Sequence, residues 1–483
     1  MTTPLWTYDE IIRAVGGAST GSSSVFGVAI DSREAAPGDL FIALKGAVTD
    51  GHEFVMSAFK MGASAALVSK KPKAVQKDDP RLIWVDDTYK ALLELAAAAR
   101  KRTRAQIIAI TGTAGKTGTK DVLYEALRLK AKTHTNVRSF NNHIGVPLSL
   151  ARMPRGAAYG VFEVGMNAPG DIAPLSHLIS PDVALITTVG KGHLAAFKNE
   201  VEIAKEKAAI FAGMPACGIA ILNFDNPHFE LLKKKAKKAG IKKILTFSKA
   251  ADSADACILK SAYLQNCSCL AAKVNEEMLT YKVAMPGHHW VMNSLGILLA
   301  VDALRGDLGL AGLALASYEP QAGRGKVYEI NAQRGVFHVV DESYNSNPAS
   351  LRAALEVFEK MRPARQTGRK IAVLGDMEEL GKTSKAEHLG LAADLRAAGV
   401  NLVYAKGPGM MALLEAVKPT IGGFTFEDNK GISKKLAQDI RKGDLILVKG
   451  SRAARLDEVV DDLNEMSMSE NDSGWGLPAA AAE

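Results

Sequence analysis

The stretch AQIIAITGTAGKT, residues 105–117, decides the fold of this chain. Its first six residues form a short apolar run rich in Ile, which predicts a buried strand, and the helical pattern DVLYEALRLK follows the glycines. A strand, a glycine-rich loop and a helix in this order place backbone N–H groups around an anion at the start of the helix. The segment therefore predicts an α/β domain with a phosphate-binding loop.

The candidate phosphate loop consists of Thr111, Gly112, Thr113, Ala114, Gly115, Lys116, Thr117 and Gly118. In such a loop the lysine reaches the β and γ phosphates of a nucleotide, and the hydroxyl that follows it binds Mg²⁺. The match is incomplete, because Ile110 stands where the pattern G-x-x-x-x-G-K-[ST] has its first glycine. The alternative interpretation of the same residues is a chance Gly-rich turn.

Strands and helices alternate on both sides of the loop. Apolar runs at 159–164, 182–189 and 218–223 predict further strands, with a helical pattern at 201–214 between two of them. This alternation is typical of a doubly wound, mostly parallel sheet. From similar patterns we expect an α/β protein of three domains: 1–103 (small α/β), 104–322 (phosphate loop), 323–465 (Rossmann-like), followed by a disordered tail at 466–483.

The composition limits the classes of function that this chain can have. The 483 residues carry 60 Lys and Arg against 52 Asp and Glu, a net charge of +8 that suits acidic ligands. The aromatic fraction of 6% and the lack of a basic–aromatic stripe argue against a nucleic-acid partner. The four cysteines do not form two CxxC pairs, which argues against structural zinc. Few cysteines, and no apolar run of about 20 residues, predict a cytoplasmic protein without a membrane span.

Ionisable residues follow successive predicted strands. Glu163 lies near the end of one strand, His193 follows the next, and Lys205 and Lys207 are on the helix after that. Ligands bind at this edge of an open α/β sheet, and a carboxylate there can hold Mg²⁺. Taken singly, Glu163 could equally be a surface acid and His193 a loop histidine. The two lysines could equally belong to a solvated helix face.

Longer segments carry a resemblance to a known family. They are, in order, DSREAAPGDLFIALKG, DGHEF, TGTAGKT, SFNNHIGVPLSL, FEVGMNAPGDI, AKEKAAIF, MPGHHWVMN, GRGKVYEI, VVDESYNSNPASLRAAL, VLGDMEELG and VKGSRAARLDEVV. With them the chain resembles the Mur ligases of peptidoglycan synthesis, over nearly its whole length except the tail. NNHIGVPL and GMNAPG resemble the branch that joins D-alanyl-D-alanine to UDP-N-acetylmuramoyl-tripeptide.

The resemblance implies an amide ligase that consumes ATP. ATP would phosphorylate the tripeptide carboxylate, and the amine of the dipeptide would displace phosphate from the acyl phosphate. It also implies two Mg²⁺ ions, a carbamylated lysine and a third domain that closes as a rigid body when ATP binds. We expect a monomer.

Individual roles also follow from the resemblance alone. The implied catalytic residues are Lys116, His193, Lys207 and Arg324. The implied metal ligands are Thr117 and Glu163 for one ion, and His193 with carbamylated Lys207 for the other, with Lys205 as the alternative lysine. The nucleotide would contact the phosphate loop, His288, Asn293, Arg324 and Asp341. The substrates would contact Asp31, Ser32, Arg33, Asn142, Tyr344, Asn345, Asn347, Lys449, Ser451 and Arg452.

Three other functions remain open on the sequence. A folylpolyglutamate synthase would share the loop and the modified lysine but would lack a separate domain like the one that carries DSREAAPGDLF. A basic ATPase acting on nucleic acid predicts strongly salt-dependent binding. A catalytically dead binding protein is disfavoured by the intact Lys116, Glu163, His193 and Lys207.

Overall fold

The computed structural model describes residues 3–137, 139–264 and 267–467. It contains three sheets of four, nine and six strands, with helices packed against them, and a small two-stranded sheet. The predicted α/β class, with a central, mostly parallel sheet, is confirmed. Most of the predicted tail, 468–483, lies outside the described residues.

The first unit is a small parallel sheet with helices on its faces. Its elements are β1 (Trp6–Thr7), α1 (Tyr8–Val15), β2 (Ser24–Val25), β3 (Gly27–Ala29), β4 (Asp39–Ile42), α2 (Val55–Lys60), β5 (Ala65–Val68), β6 (Leu82–Trp84) and α3 (Thr88–Arg102). Strands β3, β4, β5 and β6 pair in that order, all parallel. The side chain of Asp87 accepts hydrogen bonds from two backbone N–H groups at the start of α3, and basic residues end this helix, as its dipole favours.

The central unit contains the phosphate loop between its first strand and first helix. Its elements are β7 (Gln106–Thr111), α4 (Lys116–Arg128), β8 (Thr133–Thr135), α5 (Gly145–Ala151), β9 (Tyr159–Glu163), α6 (Ile172–Ile179), β10 (Val183–Ile186), α7 (Glu200–Lys207), β11 (Ile219–Asn223), α8 (Phe229–Lys238), β12 (Lys243–Ser248), β13 (Ala256–Tyr263), β14 (Ser268–Val274), β15 (Glu277–Val283), α9 (His288–Ala303) and α10 (Leu308–Ser317). The strand order is β15-β14-β13-β12-β11-β10-β7-β9-β8.

Strand β7 lies between β10 and β9 and is buried on both faces. Ile108 and Ile110 point into the apolar cluster that includes α9, whereas Ile107 and Ala109 point into the cluster on the opposite face. A parallel strand covered by helices on both sides must be apolar at every position, which explains the continuous run of Ile and Ala. The loop at the end of β7 is therefore attached to an interior strand of the sheet.

The third unit has a mixed sheet. Its elements are β16 (Lys326–Ala332), β17 (Gly335–Glu342), α11 (Pro348–Lys360), β18 (Lys370–Gly375), α12 (Ser384–Leu389), α13 (Ala392–Ala397), β19 (Leu402–Lys406), α14 (Pro408–Val417), β20 (Gly422–Phe426), α15 (Asn429–Asp439), β21 (Leu445–Lys449) and α16 (Asp457–Glu465). The order is β16-β17-β21-β18-β19-β20, with only β16 antiparallel to its neighbour.

The edge strand β16 was not predicted from the sequence. Most of its residues are exposed or partly exposed, so it lacks the apolar run that marks the buried strands. Residues 318–325 connect α10 to β16 and join the central and third units. Within the part of the chain that the structure describes, no helix is long and apolar enough to cross a membrane.

Candidate nucleotide site

The phosphate loop closes tightly against α9. Gly115 precedes α4 in the left-handed conformation, with φ of 81°, and a Cβ atom there would lie 2.5 Å from the Asn293 side-chain nitrogen. Only glycine fits such a position, since it combines positive φ with close approach of another side chain. The predicted contact residue Asn293 therefore lies directly beside the loop.

Among the residues that the structure describes, no carboxylate forms an ion pair with Lys116 of the loop. Its Nζ donates a 2.8 Å hydrogen bond to the carbonyl of Gly112. Burial lowers the pKa of this lysine, with the nearby Glu163 carboxylate opposing the shift and the Arg324 guanidinium adding to it. A phosphate group bound in the loop would supply the negative charge that this ammonium group lacks.

Two oxygen donors for a metal are held together at the end of β9. Oγ1 of Thr117 donates a 2.8 Å hydrogen bond to Oε2 of Glu163, and Nδ2 of Asn141 donates a 2.7 Å hydrogen bond to Oε1. Asn136 pairs with the backbone N–H and carbonyl of Glu163. A hydroxyl and a carboxylate suit Mg²⁺, a hard cation that prefers oxygen. These residues therefore fit a magnesium ion.

Lys207 and Lys205 have opposite environments. Lys207 is 1% exposed, and the nearest partner of its Nζ is the sulfur of Met166 at 3.9 Å. Burial, with a smaller contribution from the Lys116 charge, lowers the pKa of Lys207 well below its ordinary value. Lys205 is exposed. A buried amine that favours its neutral form is the species that can react with CO₂, so the environment of Lys207 fits a carbamate and that of Lys205 does not.

His193 lies between the central and third units. Its Nδ1 is 2.5 Å from Oε2 of Glu379, in the segment after β18. Two residues before it, Lys191 Nζ lies 2.6 Å from Oε1 of Glu387, which belongs to α12. Among the described residues, no group of three or more His, Cys, Asp and Glu side chains converges to hold a metal by itself.

The connection between the central and third units places Arg324 near the loop. Nη2 of Arg324 donates a 2.8 Å hydrogen bond to Oγ of Ser139, and its guanidinium lies 4.0 Å from the ring centre of Tyr344. Asp341 is buried, and its carboxylate accepts hydrogen bonds from the backbone N–H groups of Gly323 and Ser343. In this arrangement Asp341 thus holds the segment that connects the central and third units through a hydrogen bond from Gly323.

A cavity of about 410 Å³ lies between the central and third units, beside the start of α9. His289, Trp290 and Tyr318 line it from the central unit, and Val340 and Phe358 from the third. Nδ1 of His289 is buried without a hydrogen-bond partner among the described residues. The cavity is mainly apolar with an aromatic wall, which suits a planar base.

The predicted contact residue His288 lies outside this lining. Its Nδ1 is 2.7 Å from the Tyr263 hydroxyl, and its Nε2 is 3.3 Å from a carboxylate oxygen of Glu356. The next residue in the sequence, His289, is the one that faces the cavity. A shift of one residue along a helix turns a side chain by about 100°, so the sequence alone could not distinguish the two.

The predicted substrate residues of the first unit lie where β3 ends. Arg33 pairs with Asp31 at 2.6 Å, and hydrogen bonding from this guanidinium lowers the pKa of Asp31 to about 2. Ser32, which lies between these two residues in the sequence, is buried. Asn142, in the central unit, accepts hydrogen bonds from two backbone N–H groups at the start of α5.

The predicted substrate residues of the third unit fall into three sets. Arg452 and Arg324 both lie over the ring of Tyr344, at 5.2 and 4.0 Å, so two cations come together at this ring. Lys449 is buried and donates to Glu342 and to the carbonyl of Asn345. The remaining two have structural contacts: Asn347 caps α11 and Ser451 is buried after β21.

Several residues of this site were not predicted from the sequence. Those that touch its predicted members are Asn136, Ser139, Asn141, Trp290 and Glu379. The amides and the serine lie within or beside the segment SFNNHIGVPLSL, so the resemblance carried a signal for them. Trp290 and Glu379 lie in the segments MPGHHWVMN and VLGDMEELG, but nothing in the sequence indicated their contacts with Gly118 and His193, which are distant along the chain.

The fold and the site together define a nucleotide-binding enzyme built from three α/β units around a phosphate loop. Family models cover most of the chain: "Mur ligase family, catalytic domain" matches 24–100, "Mur ligase middle domain" matches 110–301, and "Mur ligase, glutamate ligase domain" matches 323–452. The chain belongs to the Mur ligase family, whose members are ATP-dependent ligases.

Individual relatives agree with this family. The UDP-N-acetylmuramoyl-tripeptide–D-alanyl-D-alanine ligase of Rickettsia prowazekii is 31% identical, over 95% of this chain and 99% of its own length. A crystal structure of MurF from Acinetobacter baumannii superposes with a TM-score of 0.81 at 27% identity, covering 95% of this chain and 99% of that one. MurF from Thermotoga maritima in complex with ADP gives 0.74 at 27% identity, covering 91% and 97%.

Proposed function

We propose that this chain is the ligase that joins D-alanyl-D-alanine to UDP-N-acetylmuramoyl-tripeptide, with ATP as the energy source, as a cytoplasmic monomer. The relatives with this name match nearly the whole chain, including the first unit, which a folylpolyglutamate synthase would lack in this form. The observation that carries the proposal is the meeting of Lys116, Lys207 and Glu163 at one edge of the central sheet, with Arg324 beside them. Four free cysteines support the cytoplasmic location.

The reaction has two steps. A carboxylate oxygen of the tripeptide attacks the γ-phosphorus of ATP, the bond to the β-phosphate oxygen breaks, and ADP leaves. The amine of D-alanyl-D-alanine then attacks the acyl carbon, loses a proton, and inorganic phosphate leaves. Phosphoryl transfer depends mainly on positioning and on charge neutralisation, which Lys116 and Arg324 would provide. Burial of Lys116 strengthens this electrostatic stabilisation, because the local dielectric constant is low.

Mg²⁺, when bound, neutralises phosphate charge in this chemistry. Thr117 and Glu163 would hold one ion, and His193 with carbamylated Lys207 a second. The uncompensated burial of Lys207 supports the modification, since a carbamate replaces a cation by an anionic oxygen ligand. Asn141 and Asn136 would keep the Glu163 carboxylate in place.

The nucleotide base would occupy the cavity lined by His289, Trp290 and Tyr318, with Asn293 linking that cavity to the phosphate loop. The sugar nucleotide would bind where β3 ends, near Asp31, Ser32 and Arg33. The pair of guanidinium groups over Tyr344 suits a carboxylate of either substrate. The domain boundaries 1–103, 104–322 and 323–465 complete the proposal, with the three family matches in support.

The test is direct synthesis. The purified protein is incubated with ATP, Mg²⁺, UDP-N-acetylmuramoyl-tripeptide and D-alanyl-D-alanine, and both phosphate release and product mass are measured. We expect one phosphate per amide formed, and a product that contains both D-alanine residues. Parallel reactions offer glutamate in place of the dipeptide, or a folate in place of the sugar nucleotide. Turnover only in a parallel reaction, or no phosphate release in any, overturns the proposal.

A further inference from the structure

The third unit holds the loop at 190–197 through both the side chain and the backbone of Glu379. Nδ1 of His193 lies 2.5 Å from Oε2 of Glu379, and the N–H of Ala195 donates a 2.8 Å hydrogen bond to the carbonyl of Glu379. Both groups of one residue, backbone and side chain, therefore engage the same short loop. The Nδ1 atom is shielded from solvent, and the Glu379 carboxylate approaches it without the geometry of a hydrogen bond in this arrangement.

The two partners share an unusual backbone conformation. His193 and Glu379 both have positive φ, 56° and 60°, which is uncommon for residues other than glycine. Each such residue costs on the order of 1 kcal/mol, and it persists where surrounding contacts determine it. Strained residues cluster at functional sites. Two such residues that face each other across a domain boundary therefore indicate a contact with a functional role.

An ion pair with the third unit also fixes this loop. Nζ of Lys191 lies 2.6 Å from Oε1 of Glu387, whose side chain is 9% exposed. Lys191 and His193 thus both pair with carboxylates of the third unit, and both carboxylates follow β18. The loop therefore places a lysine and a histidine against two carboxylates of the third unit.

We propose that Glu379 is a positioning residue for His193, coupling the placement of the third unit to the assembly of the metal site. This inference rests on the proposed function, in which His193 holds Mg²⁺. An imidazole has two ring nitrogens, so engagement of Nδ1 by a carboxylate leaves Nε2 as the one available to a metal. Carboxylate partners of this kind set the tautomer and the ring orientation of metal-binding histidines.

The pair also has a conformational consequence. Its two members belong to different units, so it exists only while the third unit lies against the central one. Departure of the third unit would free the His193 ring to turn, and its return would restore the orientation. The site would then be complete only in the arrangement that brings Arg324 and the substrate residues of the third unit together.

The test compares Glu379→Gln with the matched control Glu378→Gln in the full-length protein. Glu378 is adjacent and exposed. Mn²⁺ binding in the presence of a non-hydrolysable ATP analogue is measured by electron paramagnetic resonance, alongside kcat and KM with Mg²⁺. We expect Glu379→Gln to weaken Mn²⁺ binding and lower kcat, each by about 10–100-fold, with an unchanged KM for the sugar nucleotide. Glu378→Gln should match the wild type.

A further variant separates charge from backbone strain. Glu379→Gly removes the carboxylate but relieves the left-handed conformation, so we expect a higher melting temperature together with the same loss of Mn²⁺ affinity. Mn²⁺ affinity within about twofold of the wild type in either variant overturns the role of the carboxylate. Lack of turnover by the wild-type protein would instead overturn the proposed function, so the two failures are distinguishable.

Discussion

The Thr117 hydroxyl donates a 2.8 Å hydrogen bond to the Glu163 carboxylate and thereby joins the start of α4 to the end of β9. Both residues are almost fully buried, and the second carboxylate oxygen is held by Asn141. A buried carboxylate that already has two hydrogen bonds loses little further freedom when a cation arrives. The candidate magnesium site is thus preorganised by the phosphate loop and the neighbouring strand.

Removing the Lys116 ammonium group should abolish turnover. We expect Lys116→Ala to lower kcat by at least about 100-fold, because one preorganised charge on a developing anion is worth that much. The measurement is phosphate release at saturating ATP. Lys130→Ala, which alters an exposed lysine beyond the end of α4, is the control and should retain wild-type activity. Comparable rates for the two variants would contradict the role of Lys116.

The environment of the two candidate lysines predicts different outcomes for their replacement. Lys207→Ala should lose activity, by about 10–100-fold or more, and recover part of it when formate or acetate is added, since a short carboxylate can replace the carbamate oxygens. Lys205→Ala should behave as the wild type, because Lys205 is exposed. The assay is phosphate release with increasing carboxylate concentration. Full activity of Lys207→Ala without any additive would refute the assignment.

Gly118 is predicted to tolerate no side chain while Trp290 is present. A Cβ atom at Gly118 would lie 2.4 Å from the far edge of the Trp290 indole. Gly118→Ala should therefore destabilise the protein by about 1–3 kcal/mol through overpacking and raise the KM for ATP, because the indole also lines the cavity. The double variant Gly118→Ala, Trp290→Leu should restore most of the stability. Additive losses in this double-mutant cycle, measured by chemical denaturation, would contradict the contact.

Protonation of His134 should destabilise the fold in mild acid. The ring donates from Nε2 to the carbonyl of Ser149, and burial lowers its pKa from 6.5 to about 4. The unfolded chain thus binds this proton at higher pH than the folded chain, so stability falls as the pH drops from 6.5 towards 4. The slope approaches about 1.4 kcal/mol per pH unit.

Chemical denaturation at a series of pH values measures this slope. His134→Gln, which keeps a donor but cannot titrate, should flatten it over that pH range. His177→Gln alters an exposed histidine and should leave the slope unchanged. An identical slope in the wild type and in His134→Gln would show that other groups cause the acid sensitivity.

Much of the fold could be predicted from local sequence. The apolar run before the loop became β7, and the helical pattern DVLYEALRLK after it lies mostly within α4. These elements were recognisable because strands buried on both faces and amphipathic helices have distinct residue patterns. Strand β16 escaped prediction because an edge strand with exposed residues has no such pattern.

The site was predictable to a lesser extent. The loop residues, Glu163 and Lys207 were identified from their positions in the sequence and from the resemblance, and the structure brings them to one edge of the sheet. Which of His288 and His289 faces the cavity could not be foreseen, because it depends on which helix face meets the third unit. The contact of Trp290 with Gly118 was equally hidden, since 172 positions separate them.

Local residue patterns were sufficient to predict the phosphate loop and the strands that support it, because their chemistry resides in consecutive residues and depends only on backbone geometry and local burial. The burial of Lys207, the exposure of Lys205 and the contact of His193 with Glu379 became evident only in the folded structure. Those outcomes depend on how separate sheets and helices pack. A charge that is harmless on a surface becomes reactive or ligating only when neighbouring elements exclude water from it.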